Sequence, residues 1–392
     1  MEAENTVANS RNFKELSMKI GILTMSYRRN YGGILQCIAL QNTLRKMGHD
    51  VQVINFRSAR KKSLMRRLKL LVTDFDYKTY RDWLSDKAKD FLNKANGKKK
   101  PLPPSLLEKC GKFIKENISY TELCNEDSIG HIVSKNKYDA IVIGSDKIWG
   151  SLGYSQLVYF GDWKPSFYGK LISYAACSSM KKIPRYNKSK ISGLLSHFNA
   201  VSVRDRNTYD VIAPCCQEKP QIVADPTLLY DFKDYLHPYE GNEYIFAYIL
   251  GREIDGGHHK AIEKIRDKYG KIPIKAIVLT DESMDMVQFA DEVHYDATPE
   301  DWINMLAHAS FVYTDSFHGV LFSLKYHKSF VAYYKEASRA SRLLDLKERF
   351  PIGQNIVTSV SEMSLSEPDY KMIDSFLDKE TEKSRSFLES NL

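Results

Sequence analysis

The segment KIGILTM (19–25) is apolar almost throughout, and that one feature restricts the fold sharply. A strand facing water on one side alternates apolar and polar residues; a run without alternation suits a strand buried on both faces. The loop SYRRNYGG (26–33) follows, then Ile34–Met47 with apolar residues on one helical stripe, then Gly48 at a helix C-cap position, then a second apolar run, VQVINF (51–56). Strand, loop, helix and strand in that order make a βαβ unit, whose crossover is right-handed. The same rhythm recurs at YDAIVIGS (138–145), LISYAA (171–176), AVSVRD (200–205) and PQIVADP (220–226). A hinge, YDFKDYLHPYEGNE (230–243), separates these from a second series: YIFAYIL (244–250), a helix over 257–269, PIKAIVLT (273–280), a short strand at 292–297, a helix over 299–308, FVYTDS (311–316), a helix over 319–326 and SFVAYY (329–334). The pattern predicts an α/β protein with two Rossmann-like domains facing a cleft. The expected limits are a polar extension at 1–17, a first domain over 18–232, a second over 240–363 and a terminal helix over 366–392.

The first domain carries a predicted helical insertion at 57–130 that breaks the rhythm. It concentrates much of the chain's net charge of +8, at Arg57, Arg60, Lys61, Lys62, Arg66, Arg67 and Lys69 and again at Lys98, Lys99 and Lys100. A solvated basic face and attraction to an anionic membrane or substrate are both open readings. Nucleic acid is not expected, because no recognition motif accompanies the charge. The first 19 residues have no apolar core and do not read as a secretory signal. No apolar run approaches the ~20 residues of a membrane span. The six cysteines form no C-x-x-C pair, and several lie in apolar runs, which points to a reducing, cytoplasmic setting without structural disulfides or zinc.

In doubly wound folds ligands bind outside the carboxyl ends of the strands, so the polar residues there are the candidates. Asn30-Tyr31-Gly32-Gly33 follows the first strand; its glycines would let backbone N–H groups approach an anion or sugar, or they make a plain tight turn. Ser145 and Asp146 end the AIVI strand; Asp146 would orient or deprotonate a hydroxyl, or cap the next helix. Arg204 ends a buried strand, where its fork suits a carboxylate or phosphate, or a structural ion pair with Asp205 or Asp225. Asp225, before Pro226, reads as structural or cleft-lining. Ser316, His318 and Gly319 stand where a strand gives way to a helix, so an imidazole, a hydroxyl and helix N-terminal amides would meet a ligand together; a capping or core histidine is the other reading. Arg339 and Arg342, in the loop after SFVAYYKEA, would close over an anion or sit in solvent at a helix start.

Taken in order, KIGILTMSYRRNYGGILQCIALQNTLRKMGHDVQVI, YDAIVIGSDKIW, LISYAAC, SVRD, VADPTLL, PEDWINMLAHASFVYTDSFHGVLFSLKYHKSFV and SRLLDL resemble the polysaccharide pyruvyl transferase family, over roughly residues 18–350. The resemblance implies a GT-B-like arrangement, phosphoenolpyruvate as donor substrate with no cofactor and no metal, and a glycan or lipid-linked oligosaccharide as acceptor. Its usual product is a pyruvate ketal. It implies that Arg204, Ser316, His318, Gly319, Arg339 and Arg342 face the donor, with Lys335 as another basic candidate. It places Asn30, Tyr31, Gly32, Gly33, Ser145 and Asp146 on the acceptor side, and gives catalytic roles to His318 and Asp146. Two departures lie on that acceptor side: Lys147 replaces the glutamine of G-S-D-Q, and SYAACSSM replaces S-Y-A-A-S-F-G. A nucleotide-sugar glycosyltransferase of the same fold, or a non-catalytic scaffold in polysaccharide assembly, remain alternatives. The expected location is the cytoplasm, with peripheral contact at the inner membrane face through the basic insertion.

Overall fold

The computed structural model describes residues 17–26, 30–59, 103–150, 157–251, 253–279, 284–335 and 337–392, with the side chains of 337–339 excepted. Among them are two parallel six-stranded sheets. The first contains β1 (Lys19–Leu23), β2 (Asp50–Val53), β3 (Ala140–Ile143), β4 (Lys170–Ala176), β5 (Ala200–Val203) and β6 (Gln221–Ile222), in the order β2-β1-β3-β4-β5-β6. The second contains β7 (Ile245–Tyr248), β8 (Ile274–Ile277), β9 (Glu292–His294), β10 (Phe311–Thr314), β11 (Phe330–Tyr333) and β12 (Ile356–Val357), in the order β12-β11-β10-β7-β8-β9. Every residue of β3, β7, β10 and β11 is buried, as their unbroken apolar runs require. β9 lies at an edge, which explains its polar sequence. The winding reverses between β1 and β3 in one lobe and between β7 and β10 in the other. Both reversals open crevices at the strands' carboxyl ends.

The helices correct the sequence reading at three places. α1 (Tyr31–Lys46) begins at the NYGG motif, where the sequence suggested a loop. Its first turn, Tyr31-Gly32-Gly33, is buried against the second lobe, so tertiary packing overrides the low helix propensity of glycine. Between α2 (Pro104–Asn117) and α3 (Ile129–Asn136), the expected helical insertion instead extends the first sheet through parallel bridges from Val53 to Tyr120 and from Phe56 to Cys124. Buried Ile118 and Cys124 anchor that stretch. Residues 60–102, with most of the basic cluster, lie outside the described residues.

α4 (Arg185–Leu195), α5 (Arg206–Ile212) and the single turn α6 (Pro226–Leu229) complete the first lobe. The second lobe holds α7 (His258–Tyr269), α8 (Pro299–Ala307), α9 (Phe317–Lys325) and α10 (Ala337–Arg349). α10 is the third correction, since Arg339 and Arg342 were read in a loop or at a solvated helix start, whereas Arg342 lies within the helix with its side chain 12% exposed. Leu343 and Leu346 are buried at an i, i+3 spacing that a loop would not produce.

The lobes share one apolar core, which runs from Ile20, Ile34 and Val142 to Ile245, Val312 and Val331. Tyr31 of the first lobe stacks on Tyr248 of the second, with ring centroids 6.2 Å apart. α11 (Tyr370–Asn391) ties them again. Its Tyr370 hydroxyl donates to the carbonyl of Lys328 in the second lobe, while its Ser384 hydroxyl accepts from Ala224 N–H in the first at 2.8 Å. No described helix is long and apolar enough to cross a membrane.

Candidate active site

Loops from both crevices converge on one carboxylate. Asp146 follows β3 and is 5% exposed. Its Oδ2 accepts from Asn30 Nδ2 at 3.1 Å, at the start of α1. Its Oδ1 accepts from Arg204 Nη2 at 2.9 Å, and Arg342 Nη1 from α10 lies 3.7 Å away. Arg204 is 1% exposed. Its Nη1 donates to Asp225 Oδ2 at 2.7 Å, and Nη2 also reaches Cys177 Sγ at 2.8 Å. Of the two ion-pair partners read from sequence, Asp225 is used and Asp205 is not. Asp205 instead caps α5, accepting from Thr208 N–H at 2.8 Å. Asp225 doubles as a cap: its Oδ1 takes the Thr227 N–H at 3.0 Å and the Thr227 hydroxyl at 2.7 Å.

His318, in the first turn of α9, brings the second lobe to this pair. Its Nε2 lies 3.7 Å from Asp225 Oδ2. The imidazole packs against Gly32, where an added Cβ would fall 1.9 Å from Nδ1. Gly32 is therefore needed for close approach across the lobes. Beside it, the Phe317 ring has the Arg204 guanidinium carbon at 4.5 Å and that of Arg342 at 5.8 Å.

The electrostatics follow from these neighbours. Burial alone would raise the Asp146 pKa, but Arg204, His318 and Arg342 overcome it and hold the carboxyl well below the usual range. For Asp225, burial is likewise outweighed, here by His318, Arg204 and the Thr227 N–H. Burial pushes the Cys177 thiol up to about 12 despite Arg204, so it remains a neutral acceptor. Three buried nitrogens around Phe317 have no hydrogen-bond partner: Arg204 Nε, Arg342 Nε and His318 Nε2. An unmade bond at a buried donor costs ~1–3 kcal/mol, so a cluster of them is worth explaining.

The structure thus gathers Asn30, Gly32, Asp146, Arg204, His318 and Arg342. It withdraws others from the list. Tyr31 is fully buried between the lobes and its hydroxyl donates to the Ala297 carbonyl, so it packs the interface instead of lining a cleft. The Ser145 side chain is fully buried and donates to the Ala175 carbonyl at 2.9 Å. An added Cβ at Gly33 would have Asn30 and Met25 as its nearest neighbours at ordinary contact distance, and the Gly33 carbonyl accepts from Gln36 Nε2 at 2.8 Å. Ser316 and Gly319 are engaged with each other, the hydroxyl of one accepting from the N–H of the other at 3.2 Å. An added Cβ at Gly319 would fall 2.6 Å from Thr314 Oγ1, so this glycine lets the helix pack on its own strand. The Arg339 side chain lies outside the described residues, and Lys335 is exposed. Sequence reasoning missed Phe317 and Cys177 as neighbours of Arg204. The only sequence signal for Phe317 is its place between Ser316 and His318. For Cys177 it is the departure from serine. Among the described residues no group of three or more His, Cys, Asp or Glu is placed to hold a metal ion.

Known structures resemble the whole chain. A UDP-N-acetylglucosamine 2-epimerase from Listeria monocytogenes aligns over 95% of this chain and 90% of its own, with a TM-score of 0.51 and 10% identity. An E. coli heptosyltransferase solved with ADP aligns over 93% and 100%, with a TM-score of 0.40 and 13% identity. At such identities the likeness concerns the fold alone, two Rossmann-like lobes in the GT-B arrangement. No curated protein matches the chain. The family model for polysaccharide pyruvyl transferase matches residues 30–334, a span that holds every gathered residue except Arg342. The chain belongs to the polysaccharide pyruvyl transferase family, and it is a transferase.

Proposed function

We propose that the protein moves the pyruvyl group of phosphoenolpyruvate onto a sugar of a surface polysaccharide or lipid-linked oligosaccharide, forming a pyruvate ketal and releasing phosphate. The observation that carries this reading is the set of unpartnered buried nitrogens on Arg204, Arg342 and His318. A donor with a carboxylate and a phosphate offers the acceptors they lack. Protonated His318 delivers a proton to the methylene carbon of the enol, leaving cationic character at C2. One acceptor hydroxyl adds to C2 and releases its proton. A second hydroxyl then displaces phosphate, passing its proton to the departing phosphate, and closes the ketal. Overall, phosphoenolpyruvate and a diol give a ketal and phosphate, and the proton taken from His318 is returned by a hydroxyl. Asp146, held at low pKa by its cations, is too weak a base to deprotonate a sugar and serves to orient Arg204, Asn30 and the acceptor. Asp225 stands beside His318, its Oδ2 3.7 Å from Nε2, and helps to place the ring.

Titration of phosphoenolpyruvate against thermal stability, with UDP- and GDP-sugars as controls, tests the donor. A ligand specific to the folded state stabilises by ~2.7 kcal/mol at a hundred times its dissociation constant. A shift with phosphoenolpyruvate that Arg342→Ala removes supports the reading; a shift with nucleotide sugars alone overturns it in favour of glycosyl transfer. Arg342 is the better variant, because Arg204 has two buried charge partners whose stability would be lost with it. The basic stretch 57–100 carries a second proposal, docking on an anionic membrane where lipid-linked acceptors reside. Salt-insensitive or absent co-sedimentation with anionic vesicles would rule that out.

A further inference from the structure

One face of α10 touches the first lobe at three successive levels. Arg342 approaches Asp146 at 3.7 Å. One turn on, Asp345 Oδ1 accepts from the backbone N–H of Arg206 at 2.8 Å. One further turn on, Arg349 Nη1 donates to the backbone carbonyl of Arg204 itself at 3.0 Å. Positions i, i+3 and i+7 lie on one side of a helix, so these contacts form a single stripe. The stripe spans about 10 Å at 1.5 Å per residue.

The grip falls just past the end of β5. β5 ends at Val203, so the carbonyl of Arg204 lies just past the sheet ladder, although its N–H still reaches the Ala176 carbonyl at 3.1 Å. Asp205, the next residue, uses its Oδ1 to cap α5. Arg349 and Asp345 take the peptide groups on either side of it, and hold each other at 3.2 Å. Arg349 is braced from a third element by Glu380 of α11. The charged groups facing this latch are Asp345 on α10 itself, Asp205 on the first lobe and Glu380 on the terminal helix.

We propose that Asp345 and Arg349 are positioning residues that fix the spacing of the Arg204 and Arg342 guanidinium groups about Phe317, with α10 acting as the ruler between them. Neither contacts a side chain of the site; Arg349 acts through the backbone carbonyl of Arg204 and Asp345 through the backbone N–H of Arg206 two residues on. The effect on lobe spacing is independent of the substrate assigned above, while the effect on affinity rests on that reading.

The test uses the full chain with spin labels on exposed Ser134→Cys of α3 and Lys260→Cys of α7, in a Cys216→Ser background that removes the one cysteine that is not buried. Interlobe distances are measured without ligand, and phosphoenolpyruvate affinity is then titrated. Arg349→Met, which keeps the volume of the stem, is expected to lengthen or broaden the distance distribution; Arg349→Lys should restore much of it. Affinity should fall by about 10- to 100-fold in Arg349→Met, the scale of one weakened charge-assisted hydrogen bond to the donor. In an Arg342→Ala background the same change should add little, since residues acting as a unit are not additive. Asp345→Asn is the second variant should Arg349→Met fail to fold. An unchanged distance distribution in a folded variant, or affinity losses that simply multiply, overturns the proposal. If the wild type ignores phosphoenolpyruvate while the distances respond, the latch stands and the substrate assignment falls.

Discussion

Arg204 makes two charge-assisted bonds to buried carboxylates, and removing one member of such a group leaves the others uncompensated. Arg204→Ala should therefore destabilise the fold by ~3–5 kcal/mol in urea titrations. The exposed lysines, for example Lys260, should be nearly silent. Gly32→Ala drives a methyl into the His318 ring. It is expected to cut turnover by ~100-fold, the scale of a misplaced general acid, while far-ultraviolet dichroism stays native. His258 gives a pH signature away from the site. Burial among Phe289, Tyr313 and Tyr333 lowers its pKa from 6.5 to about 4, against a small opposing pull from Glu253. Between those values the unfolded chain binds the proton and the native one does not. Stability should thus fall by about 3 kcal/mol as pH drops from 6.5 to 4, then level off for this group. His258→Asn should flatten that slope. Asp146 and Asp225 act in a separate window: their stabilisation is present above the ordinary carboxylate range and is lost only as pH falls below ~4. Arg204, His318 and Arg342, which the structure brings close to Asp146 and Asp225, were all candidates in the sequence, each beside a purely structural reading. The sequence could not choose among the carboxylates. Asp146, Asp205 and Asp225 all stand at strand ends or helix caps, and only the placement of β3, β5 and β6 decides which of them Arg204 reaches.

Among the elements, the strands were the most legible, because a segment buried on both faces has no room for polar residues. Their observed limits are shorter than the apolar runs, which continue into buried turns such as Gly144-Ser145-Asp146 after β3. The first turn of α1 and the whole of α10 were not legible. Both are stabilised by the opposite lobe, α1 through Gly32 against His318 and α10 through Asp345 and Arg349, and local propensity contains no trace of such partners. α11 depends on distant partners in the same way. Its Phe387 is 5% exposed and lies 6.3 Å, ring to ring, from Tyr174 of β4. Phe387→Ala should cost ~3–5 kcal/mol, read as a lower urea midpoint with an unchanged slope.

At the scale of the whole molecule, one core cluster runs through both lobes and should make them melt as one body. The βα rhythm announced two lobes but not how firmly they join, because Tyr31, Tyr248 and Trp302 look like ordinary core residues of their own halves. Calorimetry should show a single transition, with calorimetric and van't Hoff enthalpies equal. Two resolved peaks would mean that the lobes melt separately. The return of α11 also bears on how the chain is made. A ribosome delivers the strands of the first sheet early, yet the backbone of Ala224 after β6 waits for Ser384, and the ring of Tyr174 waits for Phe387. The earlier-synthesised half must therefore remain open at that seam until residues 384–387 have emerged, even though every strand of its sheet is already present.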